Sequence, residues 1–199
     1  MFVQFIKAKT KDEAGVRAAM DRWQSELQPG ADGYLGTTAG FTDDGTFIAL
    51  ARFDSPESAK RNSDRPEQGR WWSELEANLD GAEFVDSTDV EQWMDGGSDD
   101  AGFVQVMVGT SPDVSALQAG SREGLDRLRE ARPEIIGGYF IAHGDNGYVQ
   151  TAYFRSEGAA RQSESSEPPE DVKPMIEERM RLMGDVAYYD LHQPILRSP

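Results

Sequence analysis

Five side chains in the first half of the chain could do chemistry together: Arg52, Asn62, Arg65, Trp71 and Trp72. Four of them fall in one run, Asn62-Ser-Asp-Arg-Pro-Glu-Gln-Gly-Arg-Trp-Trp72. A carboxamide can hold a developing oxyanion, and an indole offers a stacking face and one N–H donor. An arginine beside them can form the polar rim of a cleft. These five are the candidate ligand-binding residues, and none is assigned a catalytic role. Each also has a plain structural reading: a tryptophan at a helix start as a core plug, Asn62 as a cap or turn residue, and Arg52 as a rim arginine reaching solvent. Arg61, Arg65 and Arg70, with Asp64, Glu67 and Glu74 among them, equally read as a solvated salt-bridge face.

Other chemistries are thinly supported. The 199 residues contain no cysteine, which excludes disulfides, thiolate catalysis and sulfur-ligated metals. The two histidines, His143 and His192, have no metal-helix spacing and lie outside the segments read as second helices. No metal and no haem or other cofactor is therefore expected. The formal net charge of −16 is spread along the chain and opposes nucleic acid and anionic membranes. No apolar run has the length of a membrane span, and a cytoplasmic location is expected.

The elements that must hold the candidates follow from patterning. Phe2 to Ile6 reads as a strand apolar on both faces, with Val3 and Phe5 opposite Phe2, Gln4 and Ile6. Thr10 reads as an N-cap with Glu13 closing a capping box. The stripe Val16, Met20, Trp23, Leu27 predicts a helix that Pro29-Gly30 stops. Strands are predicted over 34–41 and 46–53 about an Asp-Asp-Gly turn. Ser55-Pro56 starts a second helix, which Pro66 interrupts and which resumes through Trp71, Leu75 and Leu79. A fourth strand is predicted within 84–93.

The order β-α-β-β-α-β then recurs. Phe103-Val104-Gln105 matches Phe2-Val3-Gln4 at a separation of 101 residues, and the same separation pairs Leu27 with Leu128, Ala51 with Ala152, Phe53 with Phe154 and Asp89 with Asp190. A constant separation predicts an internal duplication: a first ferredoxin-like repeat over 1–95, a Gly/Ser/Asp linker over 96–101 and a second repeat over 102–199. The fold class is α+β. Bare sheet faces that are too apolar for water predict that the two repeats close one pseudo-dimeric α/β barrel, either as a monomer with a pseudo-two-fold or as a homodimer. At this separation Pro169, Asp171 and Val172 replace Gln68, Arg70 and Trp71, and Pro168-Pro169 and Pro174 disturb the second copy. If the protein has one active pocket, it is therefore expected in the first half, and whether the second half keeps a pocket is left open.

The repeat order and the run Phe53-Asp-Ser-Pro-Glu-Ser-Ala59 resemble the dimeric α/β-barrel superfamily, and within it the antibiotic-biosynthesis-monooxygenase proteins. The run from Asn62 to Trp72 is similar to one in actinobacterial proteins of that kind. The resemblance implies a small-molecule pocket protein, with a small aromatic ligand as partner and cofactor-independent oxygenation as its activity. The alternative is a ligand-binding or stress-associated barrel without enzymatic activity. In the resembling oxygenases an asparagine and a tryptophan sit between sheet and helices and orient a phenolic substrate, which points to Asn62 and Trp71 or Trp72 here. Two adjacent tryptophans on a helix project about 100° apart, so one should plug the core and the other line a cleft.

Overall fold

A computed structural model describes residues 1–123, 125–165, 170 and 173–199. The first repeat runs β1 (Phe2–Thr10), α1 (Glu13–Arg22), β2 (Tyr34–Phe41), β3 (Thr46–Phe53), α2 (Pro56–Ser63), α3 (Pro66–Glu76), β4 (Leu79–Ser87) and β5 (Val90–Met94). The second runs β6 (Phe103–Thr110), α4 (Val114–Glu123), α5 (Leu125–Ala131), β7 (Ile135–His143), β8 (Gly147–Phe154), α6 (Glu157–Glu164), α7 (Lys173–Met183), β9 (Val186–Leu191) and β10 (Ile195–Arg197). The residues Pro168, Pro169, Asp171 and Val172 lie outside the described residues.

The strands form two five-stranded antiparallel sheets, ordered β10-β2-β3-β1-β4 and β5-β7-β8-β6-β9. Four consecutive strands of each sheet have the ferredoxin-like order, with β1 and β6 central, so the fold is α+β. The fifth strand of each comes from the far end of the other repeat. Val90–Met94 pairs with β7, and Ile195–Arg197 pairs with β2. The single fourth strand expected within 84–93 is thus two strands in different sheets. The chain accordingly divides into two compact units, Met1–Thr88 with Ile195–Pro199, and Asp89–Pro194. Division by repeat and division by packing differ by those two short strands.

In unit 1 the helices cover one face of the sheet. Phe2, Ile6, Phe47, Ala49 and Phe53 pack there against Val16, Met20, Trp23, Leu27, Trp71 and Leu75. The period-2 alternation of strands sends Val3, Phe5, Ile48 and Leu50 to the opposite face, where they are also buried. The cap of α1 is Asp12, whose carboxylate accepts from the Gly15 N–H at 3.1 Å, and not Thr10, which ends β1. Asp needs only its own side chain to satisfy an orphan N–H, so the cap shifts two residues into the loop. A π-helical stretch, Trp23–Leu27, extends α1 and keeps both Trp23 and Leu27 against the core. Leu79 does not continue α3 but begins β4, where it is 2% exposed.

Candidate functional site

The break between α2 and α3 sets the site's geometry. Ser55 caps α2 by accepting from the Ser58 N–H at 3.2 Å, with Pro56 at the first helical position. The helix ends at Ser63, and Pro66 opens α3 after Arg65 takes an extended conformation. A proline has no N–H to offer the preceding turn and crowds it, so the chain turns there. The turn leaves a cavity of about 560 Å³ between sheet and helices, lined by side chains from β1, β3, α1, α2 and α3.

Trp71 is the plug. It is 9% exposed, and its Nε1–H donates to the Ala19 carbonyl of α1 at 2.7 Å. Trp72 is partly exposed, lines the cavity and rests against Phe84 at a ring separation of 5.2 Å. Trp23 adds a third indole, whose Nε1–H donates to Gln68 Oε1 at 2.8 Å, and its ring meets that of Tyr34 at 4.8 Å. Three indoles thus contribute to the cavity wall, beside the rings of Phe2, Tyr34, Phe47 and Phe53.

Asn62 is 7% exposed and lines the same cavity. It sits in the last turn of α2 with its side chain inward, and the residue capping that helix is Asp64. Its Oδ1 accepts from Arg65 Nη1 at 3.0 Å. The guanidinium is donor-only, so this bond fixes which end of the amide is oxygen and turns Nδ2 the other way. That Nδ2 has no hydrogen-bond partner among the described residues. Arg65 itself does not line the cavity. It donates to the Leu27 carbonyl at 3.0 Å and pairs with Glu67 at 2.9 Å. Arg65 thus ties α2, α3 and the end of the π-helical turn together and holds the Asn62 amide.

Arg52 lies on the other face of the sheet. Neighbouring Ala51 and Phe53 line the cavity, whereas Arg52, 5% exposed, donates from Nη1 to Thr38 Oγ1 at 2.9 Å. Gln4 points to the cavity side, away from Arg52, and donates to Asp86 Oδ1 at 3.0 Å. Of the five candidates, Asn62, Trp71 and Trp72 converge directly, Arg65 acts through Asn62, and Arg52 stands apart. The arginines do not form one anion site: Arg61 bonds Ser58 Oγ at 2.8 Å while Arg65 turns to Glu67. Sequence reading missed Trp23, Tyr34, Gln68 and the Gln4–Asp86 pair. The inward face of β1 and the stripe of α1 carried that signal, since both must meet whatever the α2–α3 break leaves open.

The histidines lie elsewhere. His192 Nδ1 pairs with Glu157 at 2.7 Å, and His143 packs on Gly147 at the β7–β8 hairpin, where burial lowers its pKa from the ordinary value. No three His, Cys, Asp or Glu side chains gather as a metal site among the described residues. Among the described residues no helix is long and apolar enough to cross a membrane.

Unit 2 contains a cavity of similar size, about 580 Å³, on the helix face of its own sheet. The second repeat thus has a cavity of its own, and extending the 101-residue separation past α6 misreads its lining. The separation holds from β1 to α2 against β6 to α6, but α3 and α7 are 107 residues apart at both ends, because the connection before α7 is longer. The last strands slip as well: Gln4 faces Asp86, and Gln105 faces Asp190, so Asp190 corresponds to Asp86 and not to Asp89.

This architecture is shared with solved structures. The chain is similar to a candidate monooxygenase from Fusobacterium nucleatum (TM-score 0.78, 10% identity, covering 99% of this chain and 94% of that one). It is also similar to a candidate monooxygenase from Lactobacillus acidophilus (TM-score 0.71, 12% identity, 99% of each chain). An anthrone oxidase-like protein matches at a TM-score of 0.65 and 12% identity, over 99% of this chain and 92% of that one. The fold is that of the ferredoxin-fold proteins related to antibiotic biosynthesis monooxygenases. No protein-family model and no curated protein sequence matches the chain.

Proposed function

We propose that the unit 1 cavity binds a small electron-rich aromatic molecule carrying a phenolic or enolic oxygen, and that the protein oxygenates it without a cofactor. The observation that carries this reading is the Asn62 Nδ2 group: a donor without a protein acceptor among the described residues, oriented by Arg65, in a cavity that three indoles line. Trp72 and Trp23 supply stacking faces for the ring. Asn62 Nδ2 donates to the ligand oxygen and gains strength as that oxygen becomes anionic. Asp86, held on the wall by Gln4, accepts the proton. The resulting carbanion-like ring carbon transfers an electron to dioxygen, the radical pair joins as a peroxide, and loss of water leaves a carbonyl. A methylene and one dioxygen thus become a carbonyl and one water. The name of one structural neighbour, an anthrone oxidase-like protein, supports the substrate class.

Anthrone is the probe. It should quench tryptophan fluorescence, and the quench should change in Trp72→Phe, which lines the cavity, more than in Trp71→Phe, whose indole is tied to Ala19. Oxygen uptake with anthrone should fall about a hundredfold in Asn62→Ala and be lost in part in Arg65→Ala through misorientation of the amide. Quenching without oxygen uptake would establish the alternative, a ligand-binding protein without this activity. If a broad aromatic library gives no quenching, the cavity is not the site.

A further inference from the structure

The two cavities are built from equivalent positions and differ in chemistry. In α3 the lining residues are Gln68, Trp71, Trp72 and Leu75; in α7 they are Met175, Glu178, Arg179 and Leu182. Each pair is separated by 107 residues, and the spacing i, i+3, i+4, i+7 is one helix face. Arg179 therefore stands where unit 1 has Trp72. Opposite it the sheet has changed too. Ala49, which lines the first cavity, faces Ile6 across β1; Gln150, which lines the second, faces Met107 across β6. The two exchanges meet in unit 2, where Arg179 Nη2 donates to Gln150 Oε1.

The rest of the wall is mainly aliphatic, from Met107, Leu117, Leu125, Leu128 and Leu182. One aromatic is added from outside the repeat: Trp93 of β5 crosses Gly138, where a Cβ would collide with the indole. Trp93 is 5% exposed, and its Nε1–H has no acceptor among the described residues, a cost in free energy that an acceptor brought by a ligand would recover. The acidic side chains at the rim are turned to partners of their own, Glu178 to Arg181 and Glu164 to Arg161. Arg179 is directed inward to the sheet. Desolvation holds its pKa below the ordinary arginine value, so its charge is held where water solvates it poorly.

We infer that the unit 2 cavity is a second binding site, for a hydrophobic monocarboxylate whose carboxylate meets the Arg179 guanidinium and whose apolar body fills the space below Trp93. The guanidinium's planar fork of five donors can take a carboxylate beside Gln150. This inference stands apart from the reading of unit 1, since it rests on different residues and a different ligand charge.

Decanoate and decan-1-ol test it by calorimetric titration, with Trp93 fluorescence as the local reporter. Trp93 is the only tryptophan of unit 2, and Trp93→Phe identifies its signal. Wild type should bind decanoate about tenfold or more tightly than decanol. In Arg179→Met the preference should collapse to about one while decanol binding survives, which shows that the cavity is still folded. Arg179→Lys should retain part of the preference. Trp72→Phe should leave decanoate binding unchanged. Absence of decanoate binding, a preference that persists in Arg179→Met, or a decanoate response lost in Trp72→Phe would each overturn the inference.

Discussion

Asp44 is an exposed carboxylate whose pKa nevertheless lies far below the usual range. Its causes are hydrogen bonds from Lys9, at 2.8 Å, and from the hydroxyls of Thr42 and Thr46, at 2.5 and 2.8 Å, all favouring the ionised form. A folded-state pKa below the unfolded one means that the unfolded chain binds more protons as the pH falls. The stabilisation is thus complete above the unfolded value, near 4, and is lost as the pH falls toward the folded value. Asp44→Asn should remove that part of the acid limb: the urea midpoint of the variant should depend less on pH below about 4, where wild type declines. Parallel midpoint curves for the two proteins would refute it. The site residues show what a sequence says at this scale. Asn62 and the tryptophan pair are legible as residue types, and helical spacing says that only one indole can face the core. Which one does is decided by the Ala19 carbonyl. That Asn62 presents its nitrogen is decided by Arg65, three residues on but across a helix break. Both are tertiary facts with no local signature.

Elements were legible where periodicity and punctuation agree. The strands at 34–41 and 46–53 and the Ser55-Pro56 helix start are as the patterning reads them. The strand exchange was not legible, because alternation reports which face a residue takes and is silent on which sheet a strand joins. Residues 84–93 read as one strand, yet the chain leaves one sheet at Ser87 and enters the other at Val90. The edge strand β10 is short, but Ile195, 6% exposed, belongs to the helix-side core of unit 1, and Arg197 pairs with Asp21 at 2.8 Å. Ile195→Asp puts an unpaired charge in that core and leaves β2 as a bare edge. It should cost about 3 kcal/mol or more in chemical denaturation followed by tryptophan fluorescence. The exposed control Ser198→Asp should cost well under 1 kcal/mol. Equal costs for the two would mean that β10 contributes nothing to the unit 1 core.

At the scale of the molecule, duplication explains why two cavities exist, and exchanges on both the sheet, Ala49 against Gln150, and the lining helix, Trp72 against Arg179, explain why they differ. The constant separation is a reliable guide while connection lengths match, and it fails after the first unequal loop, which is where the lining helix begins. Topology has a consequence of its own. Each compact unit contains one strand from the other sequence repeat: β5 pairs with β7 over five residues, and β10 with β2 over three. The segment 95–100, between β5 and β6, carries the covalent connection on one side of that exchange. Cutting it should therefore leave two fragments joined by two sets of ladder hydrogen bonds and by the burial of Trp93 in one unit and Ile195 in the other. With a protease site inserted there, the cleaved protein should elute at the volume of the intact chain at micromolar concentration and separate only in denaturant. Adding Ile195→Asp should weaken the association, because it removes one of the two anchors. Cleaved fragments that separate on simple dilution, with the wild-type anchors in place, would show that the exchanged strands do not hold the halves together.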